Sequence, residues 1–305
     1  MTAALQWEVL EPLAATPVSR TWRVAVGAAL DGPLAGQREV PLAGQLAVLR
    51  QDEPGAARLG LNRAAEPDVL KAAAAAGLGP VCLRADPAQG LLLTEWLPGR
   101  AWTAADLQNP ANLRRAGGLL RRLHATPLAG PVVDLAAAID RYAAAAGRSG
   151  APLADQARAD LTRALAAPVA PVAPGIAPGI APGIATVGAP SGAIRTGIGT
   201  GIARERAPTL CFCHNDATPG NFIASAGGGV RLIDWEYAGL CHPGFDLAGL
   251  AVGAGLNRAQ VRQLLAAYQG RAPTPAETAR HRDWEAFCGS LGVLWAGAIG
   301  TVPAP

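Results

Sequence analysis

The sequence predicts an α+β chain built as two unequal lobes, and three observations support this. Short apolar segments that alternate with polar residues, separated by turn residues, occupy roughly the first hundred positions, which is the pattern of strands. From Pro98 onward, leucine and alanine recur at helical spacing in one segment after another. Among these helical segments a single stretch stands out, CFCHNDATPGNF at 211–222, which leads an apolar run straight into His214, Asn215, Asp216 and Asn221. The expected division is a sheet-rich unit at 1–97 and a helical unit at 98–305, with a cleft where they meet.

Composition narrows the class. With 305 residues, 50% of them hydrophobic and 16% charged, the chain can bury a sizeable core and is not disordered as a whole. A net charge of +3 gives no support for nucleic-acid binding, which needs basic residues clustered on one face. Lys71 is the only lysine, so a Schiff base or amine nucleophile has one candidate, and it lies on an alanine-rich helix. Five scattered cysteines, and an N-terminus with acidic residues and no apolar core, point away from a signal peptide and towards free thiols in a reducing cytoplasm. The uncharged stretch 286–305 is rich in glycine and is expected to be a buried C-terminal helix, with no membrane span.

In chain order, 20–28 and 45–50 read as strands, and 60–79 reads as a helix closed by Gly77, with Pro67 disturbing its first turn. Segments 81–86 and 90–97 read as strands around a DPAQG turn, and 104–125 reads as the first of several helices. The segment 168–208, in which APGI occurs three times in succession, places proline and glycine too densely for a helix and is expected to be a flexible inserted linker. Beyond it, 209–216 is a strand entering a loop, and 221–235 is two strands joined by the glycines at 227–229.

The chemistry concentrates there. A strand, a loop and a hairpin hold Asp216, Asn221 and Asp234 on neighbouring segments, and two carboxylates with one amide oxygen suit a hard cation such as Mg²⁺. Phosphoryl transfer needs such a group, together with a carboxylate able to orient the attacking hydroxyl and accept its proton.

HNDATPGN, followed thirteen residues after Asn221 by Asp234 in LIDWEYAG, resembles the catalytic segment of the choline/ethanolamine kinase and aminoglycoside phosphotransferase superfamily, nearest its choline and thiamine kinase branch. That resemblance implies a protein-kinase-like fold and transfer of phosphate from ATP, with Mg²⁺, to a small and cationic alcohol. It implies Asp216 as catalytic base, Asn221 and Asp234 as metal ligands, and His214 as a brace for the loop. It further implies Arg50 as the cation at the nucleotide phosphates with Glu66 as its partner, Ser19 and Arg20 in the phosphate-covering loop, and Thr94 to Leu97, Glu95 included, beside the adenine through backbone groups. That covering loop, AATPVSRTWRV, departs from the usual pattern in having no glycine.

For a cationic acceptor, Glu236, Asp246 and Glu285 are candidate carboxylates, and Trp235, Tyr237, Trp284 and Trp295 are candidate walls, with VLWAGA favouring Trp295. Asp246 is expected to cap the following helix and brace the loop. Three other readings stay open: an aminoglycoside phosphotransferase, a nucleotide-binding relative without catalysis, and a zinc site from Cys211, Cys213, His214, Cys241 and His242.

Overall fold

Alternation of side chains along five strands builds the N-terminal layer. In the computed structural model, which describes residues 7–27, 44–54, 56–59, 61, 63–166 and 210–300, these strands are β1 (Trp7–Ala15), β2 (Ser19–Val26), β3 (Leu46–Asp52), β4 (Cys82–Asp86) and β5 (Leu91–Glu95). They form one antiparallel sheet in the order β1-β2-β3-β5-β4. Val24, Val26, Ala47, Leu49 and Leu93 pack together on one face, while Arg50 and Asp52 alternate onto the other. The segment 168–208 lies outside the described residues.

Helix α1 (Glu66–Ala75) starts six residues later than the pattern suggested. Pro67 occupies its first turn, where a missing N–H costs nothing. Its end is a Schellman motif: Gly77 takes φ of 66°, its N–H donates to the Ala74 carbonyl at 2.9 Å, and the Leu78 N–H reaches Ala73 at 2.9 Å. The exposed edge strand β1 went unread in the sequence because Pro12 interrupts its alternation.

The helical lobe comprises α2 (Pro110–Ala125), α3 (Leu135–Ala146), α4 (Gly150–Ala166), α5 (Pro243–Gly253), α6 (Arg258–Gln269) and α7 (Pro275–Ala298). The expected helix at 104–125 is divided: a 3-10 turn spans Ala104–Gln108, and Asn109 then caps α2 by accepting from the Ala111 N–H at 2.9 Å. A small sheet joins β6 (Arg100–Ala101), β8 (Phe222–Ala224) and β9 (Val230–Leu232), and β7 (Cys211–Cys213) pairs with β10 (Gly239–Cys241). The lobes are fastened where the Leu232 N–H donates to the Leu78 carbonyl at 2.8 Å and Gly79 approaches the Trp235 indole so closely that an added Cβ would stand 2.7 Å from its nitrogen. Among the described residues no helix is long and apolar enough to cross a membrane. The two-lobed α+β architecture read from the sequence is the one observed.

Helices α2 and α6 approach closely through Gly117, where an added Cβ would stand 2.9 Å from the Leu264 carbonyl oxygen and 3.0 Å from the Tyr268 nitrogen. At the adjacent Gly118 an added Cβ meets nothing within 4 Å. Replacing a helical glycine by alanine favours the helix by about 0.5–1 kcal/mol, whereas overpacking costs about 1–3 kcal/mol. Gly118→Ala is therefore expected to raise the urea midpoint and Gly117→Ala to lower it. Equal shifts would contradict the packing.

Candidate active site

Strand β7 ends at Cys213 and delivers a loop whose shape is set by one carboxylate. Asp246, in the first turn of α5 and 1% exposed, accepts the His214 N–H on Oδ2 at 2.8 Å and the Asn215 N–H on Oδ1 at 2.6 Å. Its Oδ2 also meets His124 Nε2 at 2.9 Å. Burial, the largest single influence, lowers the basicity of His124, yet the hydrogen bond and the charge of Asp246 together outweigh it, and the imidazole pKa is raised. Burial pushes Asp246 up, but the His124 hydrogen bond and charge, with the His214 interactions, together hold it below its ordinary value. Asp246 braces the loop, but it does not cap α5 as expected. His242 does, through Nδ1 accepting from the Gly244 N–H at 2.9 Å.

With both amides held, Asn215 takes φ of 63°, and its side-chain amide donates to the Tyr237 carbonyl at 2.9 Å. Asparagine tolerates this left-handed conformation better than most residues. His214 turns inward: it is fully buried, its Nε2 donates to the Ile233 carbonyl at 2.9 Å, and its ring lies edge-on to Trp235. Burial lowers its pKa, so it is a neutral strut.

Two residues on, Asp216 faces the cleft. Asn221 closes a 3-10 turn (Pro219–Asn221), and its Nδ2 donates to Asp216 Oδ2 at 2.7 Å and to the Asp216 carbonyl at 2.8 Å. The β8–β9 hairpin then carries the chain back to Asp234, held at φ of 64° with its side chain 41% exposed. Loss of solvent, followed by the nearby Asp234 charge, pushes the Asp216 pKa up to about 8.

Opposite these carboxylates lies a buried charge network. Arg50 grips Glu66 through two parallel bonds of 2.8 and 2.5 Å, the fork-to-fork geometry that fixes a guanidinium most firmly. Arg50 Nη1 also lies 3.5 Å from both Asp234 Oδ1 and Glu236 Oε2. Arg63, which the sequence reading missed, pairs with Asp52 at 2.8 Å and with Glu236 at 2.5 Å. Loss of solvent and the Asp234 charge lift Glu236 to about 7 despite the two arginines.

Several expected residues occupy other places. Glu236 belongs to this charge network, paired with Arg63 and near Arg50. Trp235 is core: it is 1% exposed and its indole N–H donates to the Leu232 carbonyl at 3.1 Å. Trp284 stacks on His242 in the interior, and Glu285 pairs with Arg258. Arg20 lies opposite Gln51, one residue out of phase with Arg50, so alternation turns it to the other sheet face, where it pairs with Glu53 at 2.6 Å. There it lines an open concavity of about 870 Å³. Ser19 is in phase with Arg50, at the end of a turn closed by Thr16, whose Oγ1 accepts the Ser19 N–H at 3.0 Å. Between the lobes, the Glu95 N–H donates to Val81 at 2.8 Å and the Trp96 N–H to Leu46 at 3.2 Å, and Leu97 is buried beside them.

Trp295, half-buried on α7, stands close to the Tyr237 hydroxyl, and Tyr142 of α3 approaches the same group. The Tyr237 oxygen is buried with no short, well-aligned hydrogen bond, although the Tyr142 hydroxyl and the Trp295 indole both lie within interaction distance of it. Burial, then Tyr142, then Glu236 raise its pKa. This aromatic corner lies near enough to Asp216 for the two to influence each other electrostatically.

Residues 42–284 match the model of the phosphotransferase enzyme family. The chain belongs to that family. Among solved structures, a choline/ethanolamine kinase family protein from Mesorhizobium loti superposes with a TM-score of 0.63 at 24% identity, covering 95% of this chain and 78% of the other. Choline kinase LicA from Streptococcus pneumoniae gives 0.59 at 16% identity over 94% and 86% of the two chains. Macrolide 2'-phosphotransferase MphH from Brachybacterium faecium gives 0.50 at 17% identity over 99% and 95%. A further LicA structure, in complex with AMP, gives 0.62 at 17% identity over 97% and 85%. No curated protein sequence matches the chain. The fold is thus the protein-kinase-like one, and the chain is a small-molecule phosphotransferase.

The raised Asp216 pKa has a stability consequence. The folded protein keeps this proton between about pH 4 and pH 8, where the unfolded chain has already lost it. The contribution of Asp216 is fully present below the unfolded value and is lost as pH rises towards 8. Without divalent cations, the urea midpoint of Asp216→Asn should therefore gain on wild type between pH 5 and pH 8. A gap independent of pH would contradict this assignment.

Proposed function

We propose that the chain moves the γ-phosphate of ATP to the hydroxyl of a small cationic alcohol of the choline, ethanolamine or thiamine kind. The observation that carries this reading is the meeting of Asp216, Asn221 and Asp234 with the buried Arg50–Glu66 pair across one cleft. Crowded carboxylates, with Asp216 lifted to about 8, are the donor set that a divalent cation relieves. Bound Mg·ATP would supply the phosphoryl group and neutralise charge between its phosphates, with Asn221 and Asp234 as the metal's protein ligands.

The remaining roles fall to the chain itself. Asp216, positioned by the Asn221 amide, orients the acceptor hydroxyl and takes its proton as the new bond forms. Arg50, held in plane by Glu66, offers its fork to phosphate oxygens. The unit at 1–97, with Ser19 near the phosphates and Glu95 and Leu97 at the adenine edge, covers the nucleotide, and 98–305 holds the acceptor. The aromatic corner of Tyr142, Tyr237 and Trp295 offers ring faces to a cationic group, and the Tyr237 oxygen offers it a polar contact. Five free cysteines agree with work in the cytoplasm.

ADP release from Mg·ATP across choline, ethanolamine, thiamine, homoserine and aminoglycosides tests the proposal, with wild type run beside Asp216→Asn. Turnover with one small cationic alcohol is expected, falling by about 10²–10⁴-fold in the variant while nucleotide still binds. Turnover with aminoglycosides alone would replace the acceptor assignment. Nucleotide binding without turnover would make the chain a non-catalytic relative.

A further inference from the structure

Immediately before the catalytic loop, three soft donors converge that phosphoryl transfer does not use. His124 of α2 and Cys211 and Cys213 of β7 each offer a ligand atom, and these atoms all lie within 4.8 Å of one another. The period of the strand puts both thiols on one face, with Sγ atoms 3.6 Å apart. Two sulfurs sharing a tetrahedral zinc at about 2.3 Å would stand roughly 3.8 Å apart, so the pair is already at ligand spacing. Cys241 lies directly across from Cys211 on β10, and its carbonyl oxygen lies 3.5 Å from Cys213 Sγ and 3.9 Å from Cys211 Sγ.

The imidazole is equally well prepared. His124 Nε2 is held by Asp246, and Nδ1 meets the Tyr268 hydroxyl at 2.9 Å. A carboxylate behind one ring nitrogen is the usual outer partner of an imidazole that binds metal through the other. Cys213 and His124 are buried, while Cys211 is only half-buried and leaves a way in. His214 and His242, the histidines the sequence placed beside these thiols, are committed elsewhere, to the Ile233 carbonyl and to the cap of α5.

We propose that His124, Cys211 and Cys213 form a binding site for a thiophilic divalent cation of the zinc class, with Nδ1 exchanging Tyr268 for the metal and Asp246 retained on Nε2. Binding forms two metal–sulfur bonds and one metal–nitrogen bond, and releases to solvent the two thiol protons and any proton carried on Nδ1, the Nε2 proton staying toward Asp246. The site is chemically separate from the oxygen donors at Asn221 and Asp234, because sulfur and imidazole select soft ions where carboxylate and amide oxygens select Mg²⁺. It also shares Asp246 with the His214 and Asn215 amides, so its occupant bears on the loop that presents Asp216.

The test titrates Cd²⁺ into the reduced full-length protein in excess Mg²⁺ and reads the ultraviolet thiolate-to-cadmium absorption, which an oxygen site does not produce. One equivalent should saturate the signal in wild type, and Zn²⁺ should displace it. Cys211→Ser should weaken binding at least about tenfold, whereas Cys82→Ser, which alters a thiol of β4, should leave it unchanged. Absence of the band in wild type would overturn the proposal without any variant. A Cys211→Ser protein that melts normally and binds as tightly as wild type would do the same.

Discussion

One buried carboxylate holds the loop that carries Asp216 in place. Asp246 ties α5 to two successive backbone amides at the end of β7 and to an imidazole of α2, three elements that are distant in sequence. The His214 amide and His124 donors are buried and the Asn215 amide partly so, and a buried donor left unpaired costs about 1–3 kcal/mol, more where charge is involved. With these bonds made, Asn215 can stay in its left-handed conformation, and Asp216 leaves the loop pointing into the cleft. The geometry of the proposed base is thus settled by a residue thirty positions further along the chain.

The opposite wall of the cleft follows a different logic. Two arginines and four carboxylates, Arg50, Arg63, Asp52, Glu66, Asp234 and Glu236, share a largely desolvated space. Such a cluster is a poor device for stability, since desolvation offsets most of the attraction. Asp234 adds backbone strain at φ of 64°. Strain and crowded charge concentrate where a fold serves a ligand, and here both lie where a metal and phosphates would share them.

How much of this was legible from sequence depended on whether the signal was local. His214, Asp216, Asn221 and Asp234 lie within twenty-one residues, in a strand–loop–hairpin frame that the apolar runs mark clearly. The Arg50–Glu66 pair was legible only through the family resemblance, which places a phosphate-binding cation on that strand and an acidic partner in the helix that follows. What the sequence did not show was facing. Arg20 is one residue out of phase with Arg50, and alternation along β2 turns it away. Trp235 and Glu236 are adjacent in sequence, but one enters the core and the other the charge network. His124 carried a signal that was missed: a polar residue in the buried phase of α2, beside Leu120 and Leu123. Arg63 carried a weaker one, standing three residues before Glu66.

The claim at the centre is that the cleft between Asp216 and Arg50 is where phosphate changes hands, and a crystal structure with Mg²⁺ and a non-hydrolysable ATP analogue tests it most directly. The prediction is a cation on Asn221 and Asp234, Arg50 still paired with Glu66 but turned from Asp234 to a phosphate oxygen, and the γ-phosphate facing Asp216. A nucleotide bound elsewhere, or one in the cleft with its terminal phosphate turned away from Asp216, would contradict it.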